Sequence, residues 1–184
     1  MAVRRIILFA LGTLLVLAAC AAVIFGAVKD SDPEKETFTL WQLPSVADDH
    51  GNSYVIRTPH GRVVAIDGGK GAETDYLRGF LAALGDEVDV WIVTHPHYDH
   101  VEAMTNLLRR PMDLRVHEVR ESRFTPGMIA SEPEYSRWAE EYYAALDAAQ
   151  GVKVTECHTG DEFTVDGVHF KILSEINPEI GVNV

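Results

Sequence analysis

Val88-Asp89-Val90-Trp91-Ile92-Val93-Thr94-His95-Pro96-His97-Tyr98-Asp99-His100 runs from a mostly apolar stretch straight into four metal-ligand side chains within six positions. The apolar half has the length and β-branched content of a buried strand, and the polar half falls where that strand must end. Three imidazoles and a carboxylate at fixed offsets suit zinc, iron or manganese. With 8 His in 184 residues, composition alone gives this arrangement a frequency of about 0.001 per chain. The competing reading, a polar turn whose histidines only hydrogen-bond, fails on those odds. Pro96 biases His95 to extended backbone, where residues two apart face the same way, so His95 and His97 can grip one ion. Asp99 and His100, where the chain turns into the next helix, then face a second.

Upstream, Val63-Val64-Ala65-Ile66-Asp67-Gly68-Gly69 reads as a strand closing on an Asp and two glycines. In these two ordered motifs the sequence resembles the metallo-beta-lactamase superfamily, whose signature is His-x-His-x-Asp-His after a strand. The resemblance runs from about Thr39 to Leu173. Within it, Trp41-Gln42-Leu43-Pro44 and Asn52-Ser53-Tyr54-Val55-Ile56 are similar to secreted or competence-protein-like members. It implies His95 and His97 at a first metal site, Asp99 and His100 at a second, and Asp67 supporting them from behind. It also implies two zinc ions in the complete fold, with iron or manganese as alternatives, and hydrolysis by a metal-activated water that Asp99 orients. Lactams, thioesters, lactones and phosphodiesters are all cleaved in this superfamily, so the motif does not identify the substrate.

The same resemblance implies a further mid-chain His or a substitute, a bridging Asp after a later strand, and a last His. Gly160-Asp161-Glu162-Phe163 to Phe170-Lys171-Ile172-Leu173 resembles the hairpin that precedes the bridging Asp, and Asn177 to Val184 the loop before the next strand. The expectation is an α/β chain forming the N-terminal part of an αββα sandwich, incomplete at its C-terminus and carrying about half the site. His117, in the alternating segment Leu114 to Val119, and His158, at a strand end, are the candidates to complete it. His50, His60 and His169 fall in turns or a hairpin and rank below them. Cys157 has no CxxC companion and reads as a small buried hydrophobe. No serine or cysteine has a convincing His partner as a nucleophile.

Arg4 and Arg5 precede an apolar run of 23 residues from Ile6 to Val28, long enough to cross a hydrocarbon core of about 30 Å. The arginines predict a cytoplasmic start and a domain exported beyond the acidic Asp30-Ser31-Asp32-Pro33-Glu34. The leading expectation is an uncleaved single-pass signal-anchor over residues 1–29, placing the domain at the cell membrane on the extracytoplasmic side. A lipoprotein modified at Cys20, from Leu17-Ala18-Ala19-Cys20, and a cleaved secretion signal are the alternatives. A buried core helix would need charges or caps that this run lacks. With Cys20 inside the anchor, Cys157 has no disulfide partner in the exported domain.

Residues 30–37 form a charged linker, and 38–184 suffice for one domain with a sizeable core but not two. The spacing predicts a strand, turn and strand over Tyr54 to Ile66. It predicts a helix from Thr74 with Leu77, Phe80, Leu81 and Leu84 inward and Gly85 as its stop. A second helix is expected from near His100, with Met104, Leu107 and Leu108 inward, ending before Pro111. Ser131-Glu132-Pro133-Glu134 has the form of a capping box for a helix over Tyr135 to Gln150, and Asp166-Gly167 of a tight hairpin turn. Trp138 and Tyr142 at i and i+4, with Tyr143, read as helix packing more than as a substrate pocket. Arg109, Arg110 and the basic residues from Arg115 to Arg123 offer scattered positive charge for an anionic substrate. The formal net charge of -12 weighs against nucleic acid as a partner and leaves a small molecule or a phosphodiester. The reading from a different class is a non-catalytic binding or sensing module, or an inactive fragment, that keeps half the metal site and completes its sheet with another chain.

Overall fold

The computed structural model describes residues 37–46, 50–131 and 133–177, within a structural unit spanning Thr37–Val184. The apolar run from Ile6 to Val28, on which the anchor, lipoprotein and signal readings all rest, lies outside those residues. So do most of the linker and the stretch from residue 178 onward. Among the described residues, no helix is long and apolar enough to cross a membrane.

Three strands open the unit as an antiparallel meander: β1 (Thr39–Gln42), β2 (Ser53–Arg57) and β3 (Val63–Asp67). From β3 onward the pairing turns parallel, through β4 (Glu87–Val93), β5 (Arg115–Glu121) and β6 (Lys153–Glu156), so the sheet follows chain order throughout. Parallel neighbours need helical crossovers. These are a 3-10 turn (Gly71–Glu73) with α1 (Thr74–Ala83), then α2 (Tyr98–Arg109), then α3 (Pro126–Ser131) with α4 (Pro133–Ala148). Right-handed crossovers advancing in one direction stack on one face of a sheet. Leu77 and Leu81 of α1, Met104 and Leu107 of α2, and Tyr142 and Leu146 of α4 accordingly share one core with Ala65, Trp91 and Val119.

Strand alternation sends Val64 and Val90 to the opposite face, where with Ile56 they meet a two-stranded hairpin, β7 (Glu162–Val165) and β8 (Val168–Lys171), through Phe163, Val165 and Phe170. β4 is covered on both faces, which is why its sequence is a nearly unbroken apolar run. The hairpin turn is the one the sequence asks for: Asp166 and Gly167 both have positive φ, 47° and 82°, as a type I′ turn requires. Asp166 also accepts hydrogen bonds from the Thr58 hydroxyl (2.6 Å), the His60 backbone N–H (3.0 Å) and His60 Nδ1 (2.8 Å). The hairpin is thereby clamped to the β2–β3 turn.

Two expectations shift. α2 begins at Tyr98 rather than His100, because His97 in extended backbone (φ -79°, ψ 157°) is already its N-cap; Asp99 and His100 therefore lie in its first turn. Ser131 is the last residue of α3, and its hydroxyl donates back to the Met128 carbonyl (2.9 Å). The helix that the sequence reading placed after Ser131 does follow it: α4 starts at Pro133, two residues ahead of Tyr135, and ends at Ala148, with a proline in its first turn.

Candidate metal centre

β3 and β4 run parallel and end side by side, so the two motifs that follow them meet at one end of the sheet. Asp67 closes β3 at φ 54°, an uncommon conformation for a residue with a side chain, and it is 2% exposed. Its surroundings over-determine it. Trp91 Nε1 donates to the Asp67 carbonyl at 2.9 Å, and the Thr94 N–H and hydroxyl donate to Oδ1 and Oδ2, each at 2.8 Å. Beyond Asp67 the chain slides beneath the first turn of α2: the Gly68 N–H donates to the His100 carbonyl (2.6 Å) and the Ala103 N–H to the Gly69 carbonyl (3.2 Å). A Cβ on Gly68 would stand 3.0 Å from the Met104 nitrogen, so the backbones reach this contact only without a side chain there.

That contact sets His100. Its Nδ1 lies 2.7 Å from Asp67 Oδ2 and donates to it, while its Nε2 accepts from Asn52 Nδ2 at 3.2 Å. The ring is thus held in one tautomer, with the unprotonated Nε2 3.6 Å from Asp99 Oδ2. Histidines that ligate metals characteristically give their other N–H to a carboxylate in this way. The His95 ring centroid is 4.0 Å from that of His100 and 4.6 Å from that of His97, so three imidazoles are gathered at the head of β4. Burial first, then the neighbouring His100 and His97, hold His95 down to a pKa of about 3, leaving it neutral at physiological pH. A neutral His95 grouped with two further imidazoles, beside a nearly buried carboxylate, is a donor set that a divalent ion fits. Among the described residues, no three such side chains yet surround a single point at bonding distance.

The other sequence candidates go elsewhere. His117 pairs with Glu87 (2.6 Å) at the opposite end of β4, and His158 with Glu175 (2.8 Å). The expected positive charge is spent on carboxylates: Arg109 on Glu141, Arg115 on Glu87, Arg120 on Glu118, and Arg123 on Glu121 and Asp147. Tyr142 is wholly buried in the core, as packing predicts. Trp138 is half-buried and packs 5.1 Å from the Tyr98 ring beside the donor loop. Sequence reasoning missed Asn52, Thr94 and Glu73, and did not foresee that His50 Nε2 lies 3.4 Å from Asp99 Oδ2. Thr94 directly precedes the motif and could have been suspected. Asn52 and His50 arrive by tertiary contact, from a segment with no periodic signal.

A family model described as the metallo-beta-lactamase superfamily matches residues 46–169. No curated protein matches the sequence. Among solved structures, a mutant flavo di-iron protein from Thermotoga maritima is similar at 26% identity and TM-score 0.44, over 66% of this chain and 26% of its own. The FEZ-1 metallo-beta-lactamase of Legionella gormanii is similar at 17% identity and TM-score 0.46, over 71% of this chain and 47% of its own. BJP-1, a subclass B3 metallo-beta-lactamase of Bradyrhizobium japonicum, gives 19% and 0.45, over 72% and 50%. The chain therefore spans about a quarter of the first and about half of the other two.

Proposed function

The chain belongs to the metallo-beta-lactamase superfamily, and from that premise we propose that it is a binuclear, zinc-dependent hydrolase tethered to the cell membrane by residues 6–28, with its domain outside the cytoplasm. The observation that supports this best is the Asp67–His100 pair, which fixes an imidazole tautomer and leaves Nε2 unprotonated within 3.6 Å of Asp99. In this reading His95 and His97 hold the first ion, and Asp99 and His100 the second. Iron and manganese are the other metals this donor set admits. Bound ions supply Lewis acidity and an acidified water. Asp99 orients that water, Asp67 keeps His100 in its ligating tautomer, and Thr94 keeps Asp67 in place. The substrate class is a small molecule with an ester, amide or phosphodiester bond, since the net charge of -12 repels a polyanion.

The test is hydrolysis of a chromogenic lactam, a thioester and an aryl phosphodiester by the zinc-loaded full chain, with His97→Ala beside it. Turnover that falls by at least about 1000-fold in His97→Ala supports the catalytic reading, because the residue deleted is a ligand of the activating ion. Stoichiometric zinc binding without turnover of any of the three overturns it in favour of a binding or sensing module. The open arrangement of the donors among the described residues is what favours that second reading.

A further inference from the structure

Away from the donor loop, a cleft of about 710 Å³ opens between α1, with its leading 3-10 turn, and the C-terminal end of α2. Its size is that of a small-molecule site. α2 has 12 residues, so its last turn stands about 17 Å from the histidines at its head, and nothing about the cleft depends on a metal. Three of the side chains lining it are arginines: Arg78 from α1, and Arg109 and Arg110 where α2 ends. Among the described residues Asp75 is the one carboxylate that lines it. In a chain of net charge -12 this is a local reversal of sign. At physiological salt, exposed charges act over about 8 Å, so the near guanidinium groups set the potential inside.

The three arginines are held differently. Arg78 is only 15% exposed; its Nη1 donates to Asp86, and its buried Nε has no hydrogen-bond partner among the described residues. Arg109 Nη1 meets Glu141 Oε2 at 3.3 Å. Neither Asp86 nor Glu141 lines the cleft, so each carboxylate steadies a guanidinium without filling the space. Arg110 is exposed, and its side chain has no ion-pair or hydrogen-bond partner among the described residues. Asn106 Nδ2 donates to Thr74 Oγ1 at 3.0 Å, tying the two walls together, and keeps a second N–H and its carbonyl for a ligand. A guanidinium is a planar fork that matches phosphate or carboxylate oxygens two at a time. One fork satisfies a carboxylate, whereas forks from two helices suit a tetrahedral group with more oxygens. We propose that this cleft binds a small phosphate-bearing group, with Arg78 and Arg109 as fixed contacts and Arg110 as the side chain that folds over it. A soluble phosphate monoester and the headgroup of an anionic lipid share that chemistry.

The experiment is titration calorimetry on the full 184-residue chain in a neutral detergent, without added metal. The probes are sn-glycerol 3-phosphate, dibutyryl phosphatidic acid and acetate. Both phosphates should bind at one site per chain, and acetate should not. Arg110→Ala should weaken them about 10–100-fold, the range for hydrogen bonds to a charged group, with an unchanged unfolding midpoint because the residue is exposed and unpaired. Arg110→Lys keeps the charge but loses the fork and should fall between the two; Arg110→Glu should abolish binding. Tighter binding of the phosphatidic acid assigns the ligand to a lipid headgroup, and tighter binding of glycerol 3-phosphate to a soluble monoester. If neither phosphate binds, if Arg110→Ala and Arg110→Glu both keep wild-type affinity, or if acetate binds as tightly as the phosphates, the proposal is overturned.

Discussion

Replacing Asp67 by asparagine changes one atom of the carboxylate and reverses the logic of the donor loop. The substituted side chain would still accept the Thr94 N–H on its oxygen, and its amide could donate to the Thr94 hydroxyl. Facing His100 Nδ1 at 2.7 Å, however, that amide can only donate, so the imidazole must move its proton to Nε2. There the proton meets the Asn52 amide at 3.2 Å, also a donor, and occupies the lone pair meant for the metal. The lost bond is one to a buried charge, on the order of 1.5–3 kcal/mol. Loss of a carboxylate behind a ligating His costs metal affinity about 10–100-fold, or about 1.4–2.8 kcal/mol. The two assays are ¹⁵N imidazole correlation spectra, which report which His100 nitrogen carries the proton, and zinc titration by calorimetry. If Asp67→Asn keeps the Nδ1–H tautomer and binds zinc within about threefold of wild type, the coupling argued here is wrong.

A Cβ on Gly69, at φ 82°, would come within 1.9 Å of Glu73 Oε2. Gly69→Ala should therefore combine backbone strain with loss of the hydrogen bonds that the Glu73 carboxylate accepts from the Val46 and Lys70 N–H groups, about 4 kcal/mol or more by urea unfolding. Gly85→Ala, at φ +110° with nothing within 4 Å, should cost only the strain, about 1–2 kcal/mol; equal losses would refute the role given to Glu73. Trp91→Phe should cost about 2 kcal/mol in the same assay, because the buried Asp67 carbonyl loses its donor; an unchanged midpoint would show that the left-handed turn needs no such support. Burial pushes the Tyr143 phenol up to about 12, against the pull of the Phe124 N–H on its oxygen. Its unfolded value is about 10, so its contribution is intact below pH 10 and is lost as the pH rises toward 12. Tyr143→Phe should flatten that part of the alkaline unfolding curve followed by circular dichroism, and an unchanged curve would count against the burial argument.

Much of the fold was legible because its signals are local. The apolar run of β4, the helical spacing of Leu77 and Leu81 and the Asp-Gly turn each depend on residues within a few positions of one another. The donor loop was legible for the same reason, since its residues lie within six positions. What stayed hidden depends on contacts across the fold. Nothing near Asn52 or His50 in sequence announces α2, and the loop lies there only because Glu73 and Gly51 fit together 22 residues apart. His117 looked eligible because an imidazole on a strand is chemically competent. Its place at the far end of β4, beside Glu87, follows from strand direction, which periodicity does not encode.

The order in which contacts can form follows from how far apart they lie along the chain. Asp67 meets His100 across 33 residues and Asn52 meets His100 across 48, whereas Thr58 and His60 meet Asp166 across 108 and 106. Closing the longer loop costs about 1 kcal/mol more in chain entropy than closing the 33-residue one, and it must wait for ribosomal synthesis at about 5–20 residues per second. The imidazole cluster is thus early architecture and the hairpin a late cover. A chain can gather its imidazoles while the sheet face later covered by Phe163 and Phe170 is still open to water.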